Sequence, residues 1–203
     1  MSPQRKPHTP TPSRASLTGR HLAGQLAPTD TAGALQAARG CPDAWYRVQA
    51  LASVAEHAAP RLVLSILEEA ARDAQSCHDA YGTVAVMAWP LGVALRHEHL
   101  GFAGRELNKC LALACRIEPR ASQAYALEIL WSACFAADPG HAEPVWQRIL
   151  ELCHPDNSWR AARLYLHIAE VREERASGDA ARVIRAMPPG KTRSWLERRF
   201  GLV

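Results

Sequence analysis

Four polar side chains, Arg47, Thr83, Gln123 and Arg160, recur at one position of a repeating pattern. Guanidinium, hydroxyl and carboxamide groups are hydrogen-bond donors suited to a partner's carbonyls or carboxylates. Stacked along an array of helices, they would form a ladder gripping a protein or peptide. Asp43–Arg47 and Asp156–Arg160 are also i, i+4 pairs, which can simply staple helix starts for roughly 0.2–0.5 kcal/mol. On the ladder reading, Arg47→Ala and Arg160→Ala cut partner binding and barely move the melting point. Aromatic rings form a second candidate set. Trp45 and Tyr81 share a position, and Trp159 falls one place later in its own unit. At helix starts such rings serve as interface anchors or plug the joint between units.

Other clusters support no catalytic chemistry. His97-Glu98-His99, with Cys115 or His141, has metal-ligand types. Residues two apart on a helix do not face each other, however, and zinc needs three or four converging ligands. Gly190-Lys191-Thr192 resembles the end of a phosphate-binding loop, but Arg185 stands where that motif needs a glycine. Glu128 is the single carboxylate between Ala121 and Ala137. Burial against aromatics would raise its pKa and suit it to acid–base work; the alternative is a solvent-facing glutamate. The chain reads as non-enzymatic, with no cofactor or metal.

The elements that position these residues are helices. Apolar residues make up 48% of 203 and aromatics only 6%, and apolar runs lack the period-two alternation of strands. The net charge of +4 divides unevenly: +4 over residues 1–40, −5 over 41–181 and +5 over 182–203. Basic ends around an acidic body are not the continuous positive face that duplex binding needs. Six cysteines without a C-x-x-C spacing read as free thiols in a reducing cytoplasm. The N-terminus lacks the uninterrupted apolar region of a secretory signal.

Residues 1–16, rich in Pro, Ser and Thr, read as a basic disordered tail, and 17–203 as a single domain. Leu17–Ala27 suits a short helix, and Asp30 caps another ending at Gly40. From Cys41 the chain repeats, with units near 41–76, 77–116, 117–153 and 154–190 and a capping helix over 191–201. Three apolar columns keep a 0, 3, 7 phase through the units. They are Val48, Val84, Ala124 and Ala161; then Leu51, Met87, Leu127 and Leu164; then Ala55, Leu91, Trp131 and Ile168. Asp43, Asp79 and Asp156 precede helix starts.

Paired helices of 36–40 residues with aspartate-led turns and the start Arg47-Val48-Gln49-Ala50-Leu51 resemble the tetratricopeptide and HEAT-like class of helical repeats. The tetratricopeptide Trp, Gly and Tyr pattern is not reproduced in any unit. The resemblance implies an all-α fold, an α-α superhelix or solenoid of about four helix pairs with flanking helices. It implies a scaffold binding a protein or peptide partner on its concave face. The alternative is a nucleic-acid-binding protein, similar to HEAT-like DNA glycosylases, using the basic ends and aromatics. The segment from Lys191 to Val203 is either a cap over the last unit or a basic interaction element.

Ala80–Leu95 contains sixteen residues without a charge, shorter than a membrane span and interrupted by Pro90. Its composition predicts a helix buried on both flanks, kinked at the proline, and standing away from the binding surface.

Overall fold

Aspartates start several of the helices. Asp30 accepts the Gly33 N–H at 2.9 Å, Asp43 the Trp45 N–H at 2.8 Å, and Asp79 the Gly82 N–H at 2.7 Å. Each satisfies a donor that the first helical turn leaves unpaired. Asp156 lies outside the residues that this computed structural model describes, which are 13–153 and 159–203; the side chains of Cys153, Trp159 and Arg160 are also outside the description.

Among the described residues every regular element is an α-helix. They are α1 (Arg14–Leu26), α2 (Thr31–Arg39), α3 (Ala44–His57), α4 (Pro60–Ala74), α5 (Ala80–Val86) and α6 (Ala88–Arg96). There follow α7 (Leu100–Ala114), α8 (Arg120–Ala137), α9 (Pro139–Cys153), α10 (Trp159–Arg175), α11 (Ala180–Ala186) and α12 (Lys191–Arg199). None of the described helices is long and apolar enough to cross a membrane. The chain divides into two compact units, Met1–Val145 and Trp146–Val203.

In the first unit, α3 packs on α1, α2, α4 and α6, while α6 packs on α8 and α7. The apolar columns supply the contact. Val48, Leu51 and Ala55 are fully buried, as are Val84, Leu91, Leu127 and Trp131, with Met87 almost so; Ala124 is half-buried. Trp131 stacks on Phe135, centroids 4.7 Å apart. On α4, Val63, Ile66, Leu67, Ala70 and Ala74 are buried while Leu62 and Leu64 face out. That is the i, i+3, i+4, i+7 stripe of an amphipathic helix.

Two features depart from simple apolar packing. Pro90 has no N–H for the Val86 carbonyl, and its ring crowds that carbonyl; the helix is interrupted at Met87, dividing α5 from α6. Helix α1 begins at Arg14, capped by Ser13. It docks through small residues: Ser16 and Ala23 are fully buried, whereas Leu17 and Leu22 face outward. A Cβ on Gly19 would lie 2.8 Å from Cys41 Sγ, so glycine permits this close approach.

In the second unit α11 packs on α10 and α12. The Glu173 carboxylate accepts the Gly178 and Ala180 N–H groups at 2.8 and 3.1 Å, fixing a turn whose Gly178 has φ +86°. Of the three apolar residues of α12 and its end, Leu196 is fully buried, Phe200 is half-buried and Trp195 faces out beneath Arg199, 6.0 Å from the ring.

Candidate functional site

Among the described side chains, the polar column does not converge on one surface. Arg47 turns toward α4: Nε donates to Asp73 Oδ2 at 2.7 Å, and Nη1 to the Cys41 carbonyl at 2.8 Å. Thr83 is buried, its hydroxyl 3.2 Å from the Ala74 carbonyl and 3.1 Å from that of Asp79. Both residues therefore meet the C-terminal end of α4, where unpaired carbonyls and dipole favour donors and cations. Gln123 is buried in α8, and Arg160 lies outside the described side chains. The i, i+4 alternative for Arg47 is replaced by the longer-range pair with Asp73.

A groove opens instead along α3, α6 and α8. Its volume is about 480 Å³, and its floor is made of small residues, Ala52, Ser53, Ala88, Gly92 and Ala133. Close packing of α6 on α8 sets that depth, since a Cβ on Gly92 would lie 3.8 Å from Ala133 Cβ. At one end Trp89 stands 40% exposed. The Trp45 ring meets it edge to face, centroids 5.9 Å apart, which orients an otherwise loose indole. Tyr125, 45% exposed, lies one helical turn before the groove residue Ile129 on α8. Burial pushes the Tyr81 phenol up, with Asp79 and Tyr125 nearby adding to the shift. Trp159 is outside the described side chains.

The far end carries an ion pair between helices. Arg96 Nε donates to Glu56 Oε1 at 3.0 Å. That hydrogen bond, with the Arg96 charge, holds the Glu56 carboxyl below its usual range against the opposing effect of burial. Gln49, also lining the groove, accepts from Arg20 Nη1 at 2.7 Å, and the Arg20 guanidinium lies over Tyr46.

Ala80–Leu95 is buried over most of its length, as its composition predicts, with Trp89 its one exposed residue. Ala88, Gly92 and Val93 are buried too, yet with Trp89 they line the groove. Lack of charge in this stretch reflects a floor of small residues as well as burial. Trp89 and Arg96 were legible as residue types but were outside the recurring polar column. The signal for Trp89 is the aligned position Ser53, Trp89, Ile129, five residues beyond the apolar column of Val48, Val84 and Ala124.

A second cleft, of about 600 Å³, lies among α4, α5 and α7, lined in part by Arg72, Thr83, Phe102, Arg105, Glu106 and Lys109. Glu106, 6% exposed, accepts from Arg105 Nε at 3.2 Å and Lys109 Nζ at 2.9 Å. Among the described residues no cluster of three His, Cys, Asp or Glu side chains is placed to hold a metal ion. His97 caps α6 and Glu98 takes φ +58° beyond it, so this stretch ends a helix. Glu128 is half-buried on α8. Burial pushes the Cys110 and Cys134 thiols up to about 12 and Cys77 to about 11, the opposite of an activated nucleophile. Comparison with protein families, curated proteins and solved structures finds no match for this chain.

Proposed function

We propose that the chain is a non-catalytic helical-repeat scaffold that binds a protein or peptide partner in the groove of α3, α6 and α8. The observation that carries this reading is Trp89, exposed at the groove's end yet braced by Trp45. Tryptophan, tyrosine and arginine dominate binding energy at protein interfaces, above all where a ring is held in place before the partner arrives. Trp89, Tyr125 and Arg96 supply all three types along one side of neighbouring helices.

The order of packing supports a solenoid-like stack within the first unit. Helices α1, α3, α6 and α8 each touch the next, and α2, α4 and α7 follow their partners in the chain. In such stacks the first helices present a continuous surface. Arg47 and Thr83 then serve the stack, by tying helix starts to the end of α4, while the groove serves the partner.

The test is site-specific crosslinking. A photoreactive phenylalanine analogue replaces Trp89 in one protein and Leu64, exposed on α4, in another. The first is expected to trap one partner protein in near-stoichiometric yield and the second none. Equal trapping at both positions, or none at Trp89 from a lysate in which the chain is native, overturns the reading. Binding of DNA that weakens steeply with salt would replace it with the nucleic-acid alternative.

A further inference from the structure

The groove's far end has a specific chemistry. Arg96 spends Nε and Nη2 on Glu56, and among the described residues Nη1 meets no acceptor. This guanidinium lies over Gly92: a Cβ there would be 3.3 Å from Nη1. The side chain is 45% exposed at the edge of the groove. A guanidinium has five donors in a fixed fork and often bridges two carboxylates, one on each edge. Glu56 occupies one edge and holds the plane still. Other titratable groups close to the pair are His57 on α3 and His97 after α6, both acting on Glu56 as positive neighbours.

We infer that the groove takes a protein segment bearing an Asp or Glu carboxylate on Arg96 Nη1 and an aromatic or large apolar side chain on Trp89. This rests on the groove being the partner site. Seven residues of helix separate Trp89 from Arg96, a span of about 10 Å, which fixes the spacing of the two groups in the partner. Three residues of extended chain cover it, as do seven of helix. Charge complementarity selects the acidic end: a Lys or Arg there would face Arg96 with Glu56 already engaged.

Two fluorescein-labelled peptides with blocked ends serve as probes, one with Phe and Asp three apart in a Gly/Ser frame, the other seven apart in an Ala/Gln frame. Each has an Asp→Asn twin. At least one Asp peptide is expected to bind more than about tenfold tighter than its twin, the range of a charge-assisted hydrogen bond. Arg96→Gln should erase that ratio. Glu56→Gln should raise affinity for the Asp peptide several-fold, because it removes the carboxylate charge that repels the incoming Asp while the amide oxygen can still accept from the guanidinium. A merely structural ion pair would make both substitutions act in the same direction. Gly92→Ala should weaken binding without lowering the melting point, since the new methyl group displaces Arg96 while adding helix propensity. Circular dichroism confirms that each variant folds. Equal binding of Asp and Asn peptides, with loss on Trp89→Ala, sinks this inference and leaves the groove reading intact. No binding of either peptide, with crosslinking at Trp89 also absent, sinks both.

Discussion

At the scale of single residues, what matters is where a polar group finds its partners. Arg47 is an inter-helix clamp, with a carboxylate on Nε and a carbonyl on Nη1. Arg47→Ala leaves Asp73 and the Cys41 carbonyl without their donor, so a loss of about 1–2 kcal/mol is expected. Urea unfolding measures it as a lower midpoint at unchanged slope. Affinity for the groove's partner should stay the same. Weaker binding at unchanged stability would return the residue to the ladder. The cysteines give a second expectation. Cys110 and Cys134 are buried with thiols pushed up to about 12, whereas Cys115 is exposed. Thiolates are the reactive form. Iodoacetamide at pH 8 should therefore modify Cys115 in the native protein, and Cys110 and Cys134 only after denaturation, as peptide mapping would report. Native labelling of Cys134 at the rate of Cys115 would contradict the packing of α8.

At the scale of elements, the periodic part of the structure was legible and the stereochemical part was not. Asp30, Asp43 and Asp79 announce helix starts because a short acceptor before an apolar run satisfies free N–H groups. Columns such as Leu51, Met87 and Leu127 announce the buried face because helical phase is a property of sequence alone. Pro90 announces the break at Met87 because a proline inside a helix lacks an N–H and crowds the carbonyl four residues back. By contrast, α1 carries Leu17 and Leu22 outside and docks by Ser16, Gly19 and Ala23. Hydrophobic pattern reverses the true face there, since contact depends on how near two backbones come. Gly19→Leu should force α1 off Cys41 and α2, at a cost of about 2–3 kcal/mol as for other overpacked sites. Thermal unfolding gives the loss, and limited proteolysis should show cleavage near Leu26–Asp30 before the remainder. An unchanged melting point would mean that α1 contributes little to the fold.

At the scale of the whole molecule, carboxylates bind helix to helix across long stretches of chain. Arg39 on α2 holds Glu69 on α4 through two hydrogen bonds of 2.8 Å, and Arg96 on α6 holds Glu56 on α3. Nothing in the sequence pairs residues 30 or 40 places apart, so this layer, and with it the charged end of the groove, was not readable before the fold. Hydrogen bonds from the arginines are the main reason that both carboxyls sit below their usual range, ahead of the opposing effect of burial. A folded pKa below the unfolded value of about 4.3 means that the native state releases these protons more readily. Their contribution to stability is therefore complete above about pH 5 and is lost as pH falls through the folded values. Urea midpoints for the native sequence and for Glu56→Gln/Glu69→Gln, measured from pH 7 to pH 3, isolate it. Groups remote from the two glutamates are the same in both proteins and cancel in the difference. That difference should be constant from pH 7 to about 5 and shrink toward zero below about 4. A gap that persists undiminished at pH 3 would mean that the two glutamates act through packing of their stems, and that the ion pairs between helices carry no net stability.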